Sequence, residues 1–241
     1  MKKSELLEKI APYLVLVSFV LVFFIGFNWQ NIASLSKNSI EASPAPLVDS
    51  PKLTDNDLKK YAKNIGLDTD KFNACLDSDK YEDKISNDIA YADELGVSGT
   101  PGFLLNGHYI DGTLSYADFK AAIDFELNGG DWTKAPTSIT NNVNITKGTE
   151  DVTDGQIRGD KNAKVKFVEF SDFECIYCRQ FFREAEPQIM KEYVDTGKVL
   201  FVFKNYPIFL AHPHAVKAAE AGECAAEQGK FWEMHDAMLS S

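Results

Sequence analysis

The sequence predicts an α/β fold preceded by one membrane-spanning helix, and three observations carry that expectation. Val165 to Phe170 and Val199 to Lys204 read as strands on either side of a helical stretch, a βαβ unit that implies parallel pairing. Phe103-Leu104-Leu105 and Tyr109-Ile110, joined by Asn106-Gly107, read as a β-hairpin with its preferred turn dipeptide. Ala11 to Phe27 is an uncharged apolar run, and about 17 to 25 such residues cross a bilayer.

The chain has 241 residues, 44% hydrophobic and 25% charged, enough to bury a sizeable core and unlike a disordered, collagen-like or disulfide-dense chain. Its 36 acidic residues exceed its 25 basic ones for a net charge of −11, so a nucleic-acid partner is not expected. The apolar run fits either an uncleaved anchor or a signal peptide. Asn28 to Pro46 offers no good small-x-small exit, which favours the anchor. Lys2, Lys3 and Lys9 before the run, against Lys37 after it, place the N-terminus inside. The reading is therefore a cytoplasmic N-terminus at 1–10, a transmembrane signal anchor at 11–28 and a Ser-, Ala- and Pro-rich linker at 29–51. Everything beyond would lie outside the cytoplasm, carried by a single pass through the cell membrane.

The folded part begins near Lys52. Thr54 with Asp57 forms a helix N-cap signal, Leu58, Tyr61, Ala62 and Ile65 make an apolar face, and Gly66 stops the helix. Helices over Thr69 to Leu76 and Lys80 to Leu95 follow, then Gly99-Thr100-Pro101 leads into the hairpin. Ser115 caps a helix whose Tyr116, Phe119, Ala122 and Ile123 share one stripe. Residues 128–160 lack periodicity and read as a linker between two halves, 52–127 and 161–241, with a chance-level glycosylation sequon at Asn144-Ile145-Thr146. Beyond the first late strand, a helix carrying Phe181, Phe182, Ile189 and Met190 is expected to kink at Pro187. His214 to the C-terminus reads as helical, with Ala215, Ala218, Ala219 and Gly222 as a close-packing face.

Cys175 and Cys178 form a C-x-x-C at a strand-to-helix junction. A thiolate is the attacking form, and a cysteine with an ordinary pKa of ~8.5 is mostly protonated at neutral pH. At a helix N-terminus the unpaired backbone N–H groups and the positive end of the dipole favour the anion, so Cys175 is the expected nucleophile. Cys178, one turn later, faces the same side and can resolve a mixed disulfide at Cys175. A stapled turn or a buried thiol pair is the plainer alternative. Metal binding is not expected, because no second close ligand pair accompanies the cysteines and His212-Pro213-His214 stands alone. No cofactor is implied.

VEFSDFECIYC, FFREAEP and HPHAVKAAEAGECAAEQGKFWEMHD resemble the DsbA-like branch of the thioredoxin superfamily, the exported thiol-disulfide oxidoreductases. Residues 52–127, with YAKNIGLD, FNACLDSDKY and GVSGTPGFLLNG, resemble the same family's other half. The resemblance implies a thioredoxin fold with a helical insertion. It also implies a cis Thr100-Pro101 beside the C-x-x-C, with Thr100 and Pro101 meeting a substrate strand. Glu169 matches the family's buried acid beneath the second cysteine, a proton acceptor for Cys178 desolvated by Phe167, Phe170 and Phe173; strand alternation could instead turn it to solvent. Ile176 and Tyr177 occupy the two positions that tune the redox pair, where strongly oxidising members carry Pro-His. Cys75 and Cys224 match cysteines that some relatives join, against the alternative of two buried thiols.

The order of the halves departs from the family, in which the C-x-x-C half comes first; here Pro101 precedes Cys175. A circular permutation explains this, with a domain-swapped homo-oligomer or a partial chain as rivals. The resulting expectation is a membrane-anchored oxidoreductase of a prokaryotic envelope. It would form disulfides in reduced exported polypeptides and be reoxidised by a quinone-linked membrane partner. A reductase or isomerase on the same scaffold, or a non-catalytic binding module, stands as the alternative.

Overall fold

The fold is organised around a strand that both halves of the chain help to cover. A computed structural model describes residues 51–135, 143–144 and 154–241, all within one unit spanning Asp49–Ser241. The expected membrane segment at 11–28 and the linker at 29–51 lie outside the described residues, save Pro51. Among the described residues no helix is long and apolar enough to cross a membrane.

Among the described residues three helices come first: α1 (Asp55–Asn64), α2 (Thr69–Leu76) and α3 (Glu82–Glu94). Thr54 and Asp57 close a reciprocal capping box on α1, and the Asp68 carboxylate caps α2. The hairpin is β1 (Gly102–Leu105) and β2 (His108–Asp111), whose turn puts Asn106 and Gly107 at positive φ, the geometry for which that dipeptide is suited. Helix α4 (Tyr116–Leu127), capped by the Ser115 hydroxyl, buries Phe119, Ala122 and Ile123. A 3₁₀ turn at Trp132–Lys134 and short strands β3 (Val143–Asn144) and β4 (Gln156–Arg158) follow. The region 128–160 thus differs from a bare linker. Trp132 is buried in the core, and β4 closes one sheet edge by pairing with a strand of the βαβ unit.

That unit is β5 (Val165–Ser171), α5 (Ile176–Glu184) and β6 (Val199–Asn205). Pro187 does not kink a continuous helix as expected. The break falls at Ala185, and Pro187 sits in the first turn of a new segment, α6 (Glu186–Ile189), where its missing N–H costs nothing. A π-helical turn at Met190–Val194 continues it. The C-terminal helix is likewise two, α7 (Ala215–Ala226) and α8 (Phe231–Leu239), separated by Gly229 at positive φ.

Among the described residues six strands lie in the order β3-β2-β1-β5-β6-β4, with β5 and β6 parallel and the other pairs antiparallel. β5 is central and buried, and it is flanked by the hairpin from the first half and by β6 from the second. The register sets Glu169 opposite Phe103 on one side and Phe203 on the other. One sheet face packs Phe103, Phe119, Phe167, Phe181 and Phe201 together, whereas Val168, Phe170 and Val202 pack on the other with Ala92 and Leu95. A third cluster joins α1 and α2 to α7 and α8 through Leu58, Phe72, Ala221 and Met234.

A disulfide and a buried ion pair are among the links that tie the helical region to the rest. Cys75 on α2 is disulfide-bonded to Cys224 on α7, with a Cα–Cα distance of 5.9 Å. Lys204 of β6 is buried and pairs with Asp88 of α3 at 3.2 Å and with Asp154, while Asn205 also donates to Asp88. The disulfide closes a sequence separation of 149, so its main effect is to restrict the unfolded chain. Replacing both Cys75 and Cys224 by alanine is expected to lower unfolding free energy by about 2–4 kcal/mol in urea titrations. Lys204→Met removes the buried cation between Asp88 and Asp154, leaving Asp88 to Lys84 and Asn205, and is expected to cost about 1–3 kcal/mol in the same assay.

Candidate active site

Cys175 is the N-cap of α5, placed there because β5 ends at Ser171 and a tight turn reverses the chain: the Cys175 N–H donates to the Asp172 carbonyl at 3.1 Å. No side chain caps α5, so its first N–H groups are open toward the sulfur. Both Cys175 and Cys178 are free thiols, and both are buried, Cys178 completely. Across from them the Thr100–Pro101 peptide is cis, and the Cys175 thiol lies 3.3 Å from the Thr100 carbonyl oxygen. The chain thus brings Thr100, Pro101, Cys175 and Cys178 together from opposite halves. Ile176 and Tyr177 are half exposed beside them, and the Tyr177 carbonyl accepts from Thr113 at 3.2 Å.

The two thiols are driven apart electrostatically. The hydrogen bond from Cys178, with help from the Cys178 and Tyr177 backbone amides, lowers Cys175 to about 6 against the opposing effect of its burial. Burial, together with the neighbouring Cys175 and Glu169, pushes Cys178 well up. An anion is therefore favoured at the outer sulfur and disfavoured at the inner one. The Asp172 backbone N–H points to Cys178 Sγ at 3.5 Å.

Glu169 is 1% exposed and neither carboxylate oxygen has a hydrogen-bond partner. Burial raises it to about 8, with Ser171 opposing and Cys175 adding to the rise. The aromatic walls differ from those expected. Phe170 is on the other sheet face, because successive residues of a strand alternate, and the cross-strand partners Phe103 and Phe203 flank Glu169 instead. A second buried acid, Glu186 at the start of α6, is raised to about 7, mainly by burial. It borders a surface cleft with Arg158 and Asp236.

Sequence reasoning passed over Asp172 and Glu186 and considered His212 only as a metal ligand. Asp172 is fully buried, and its carboxylate accepts from the Glu174 amide, the Ile208 amide and the His212 ring at 2.8, 2.8 and 2.7 Å. The available signal was an acid inside the apolar run VEFSDF, where an unpaired charge is too costly to bury. Among the described residues no group of three or more His, Cys, Asp or Glu side chains is arranged to hold a metal ion.

The family model described as thioredoxin matches residues 35–125 and 151–241, together more than half of the chain. The chain belongs to the thioredoxin family. Among its relatives, the probable disulfide bond formation protein D of Bacillus cereus is 41% identical over 83 residues, 34% of this chain and 38% of that protein. The Na(+)/H(+) antiporter NhaA 3 of Salinispora tropica is 49% identical over 84 residues, 35% of this chain and 12% of the antiporter. The chain therefore spans well under half the length of these relatives. Among solved structures, oxidised BdbD from Bacillus subtilis is 29% identical with a TM-score of 0.35, covering 39% of this chain and 51% of that one. Wolbachia pipientis alpha-DsbA1 is 27% identical with a TM-score of 0.34, covering 38% and 44%.

For this thioredoxin-family chain, the raised carboxyl at Glu169 has a stability consequence. The folded state holds it protonated while the unfolded state ionises at its ordinary value, so the stabilising contribution is complete at acidic pH and is lost as pH rises from about 4.5 through about 8. Glu169→Gln keeps the shape and removes the titration. In chemical denaturation of the reduced protein, the variant's stability relative to the parent is expected to grow by about 1.4 kcal/mol per pH unit within that window.

Proposed function

We propose that this chain is a membrane-anchored, extracytoplasmic thiol-disulfide oxidoreductase that forms disulfides in exported polypeptides through Cys175 and Cys178. The observation that carries the reading is the asymmetry of the two thiols: Cys175 is stabilised as an anion at the start of α5, chiefly by the hydrogen bond from Cys178, with Cys178 held as a thiol behind it. Stabilising the reduced form's thiolate is what makes a dithiol pair oxidising.

In the oxidised enzyme a substrate thiolate attacks Cys175 Sγ. The Cys175–Cys178 bond breaks, and Cys178 leaves with the electron pair and takes a proton from neutral Glu169. A second thiolate of the substrate then attacks the substrate sulfur of the mixed disulfide and releases Cys175 as its thiolate, so two electrons have passed to the enzyme. Reoxidation passes these two electrons on to a quinone-linked membrane partner and re-forms the Cys175–Cys178 bond. On that step Glu169 takes the proton from Cys178 as this thiol attacks. Ile176 and Tyr177, with the exposed Phe209 and Leu210, supply an apolar surface on which an unfolded chain can lie, and Thr100 and Pro101 form its edge.

The order of the halves fits a circular permutation. It is supported by a family match in two segments and by the pairing of β1 with β5, which brings the two halves into one sheet. Residues 11–28 would hold this domain, with its Cys75–Cys224 bond, on the oxidising side of the cell membrane.

Titration of the Cys175–Cys178 pair against glutathione tests the reading. A potential near ~−120 mV supports an oxidase, one near ~−270 mV a reductase, and a pair that does not titrate a non-catalytic binding module. Cys175→Ala is expected to abolish oxidation of reduced polypeptide substrates, and Cys178→Ala to trap mixed disulfides visible by non-reducing electrophoresis and mass spectrometry.

A further inference from the structure

The segment after β6 is fastened to the turn before the C-x-x-C by buried polar bonds. Asp172 Oδ2 accepts from the Ile208 amide and from His212 Nδ1, Asp172 Oδ1 accepts from the Glu174 amide, and Glu174 Oε2 accepts from the His214 amide at 2.7 Å. Asp172 also holds the redox pair through its backbone, donating to Cys178 and accepting from Cys175. The buried Asp172 carboxylate thus sits on the turn whose backbone bonds to both cysteines, one of which must itself become an anion. Ile176 and Tyr177, between the cysteines, carry no cation.

We propose that His212 is a positioning residue for the redox pair: its imidazolium, clamped on Asp172, offsets that carboxylate and stabilises the Cys175 thiolate. The inference rests on the oxidoreductase reading of the site and deepens it. The other charged groups near the pair are Glu174 from the same turn, Glu169 from β5, and Arg179 from α5, whose Nε donates to the Leu239 carbonyl at 3.4 Å. His214, on His212's own segment, reaches the turn through its backbone amide. Burial works against the charge on His212, but its bond to Asp172 and the fields of Asp172, Cys175 and Glu174 outweigh this and raise it. The pair therefore becomes less oxidising as His212 loses its proton.

The test compares His212→Gln, which keeps an N–H for Asp172 without the charge, and His212→Lys, which keeps a charge at all accessible pH. Thiolate absorbance and glutathione equilibrium are read in the whole protein. In His212→Gln the Cys175 titration is expected to rise by about one unit. The equilibrium should shift about tenfold toward the oxidised enzyme, or about 30 mV. His212→Lys is expected to retain the low Cys175 titration. A His212→Gln protein that titrates as the parent does, or a His212→Lys protein shifted as far as His212→Gln, overturns the inference and leaves the oxidoreductase reading intact. A parent pair that does not titrate at all overturns the reading itself, and the inference with it.

Discussion

The pairing of β1 with β5 is the contact on which the rest of the molecule depends. It joins segments more than fifty residues apart in antiparallel register, sets Phe103 against Glu169, and carries the Thr100–Pro101 peptide to the N-terminus of α5. Loop closure over that distance costs entropy that grows only slowly with length. The cost is offset where β1 and β5, both almost wholly buried, stack Phe103 on Phe167 at 5.2 Å and pack it against Phe119 and Phe181. Without this register each half would retain an exposed apolar face, and the redox pair would lack the backbone that faces it.

The same burial creates the site's electrostatics. Completely enclosing Cys178 and Glu169 penalises their anions, while Cys175, at an open helix end, is stabilised as one. One low-dielectric environment thus acts in opposite senses on two thiols one helical turn apart, and the difference arises from hydrogen bonds rather than from exposure alone. Asp172 is tolerated inside because its carboxylate is fully engaged, binding the loop at Ile208 to His214 into the site. That loop also carries the exposed Phe209 and Leu210, so the His212 ring that meets Asp172 and an exposed apolar pair belong to one continuous segment.

The elements of the fold were legible wherever local chemistry is strong: the capping box at Thr54 and Asp57, the Asn106-Gly107 turn, the Ser115 cap and the two hydrophobic strands around the C-x-x-C. Legibility failed where a segment is held by its neighbours. Gln156–Arg158 has little strand character of its own and becomes a strand because β6 presents an unpaired edge. Pro187 predicts a kink, whereas the interruption falls at Ala185, which carries no marker in the sequence. The aromatic surroundings of Glu169 were assigned by proximity along the chain, and the alternation of a strand moved Phe170 to the opposite face.

By itself the sequence marked a C-x-x-C at a strand-to-helix junction, a local pattern with a local physical reason, and its family resemblance added an acid six positions before it and a Thr-Pro ahead of a hairpin. Only the tertiary structure decided that Thr100 and Cys175 meet, that Glu169 is sealed between Phe103 and Phe203, and that Asp172 and His212 form one unit with the sulfurs. Those relations depend on strand register and on the cost of leaving a buried polar group unpaired. Neither quantity exists until the two halves share a sheet.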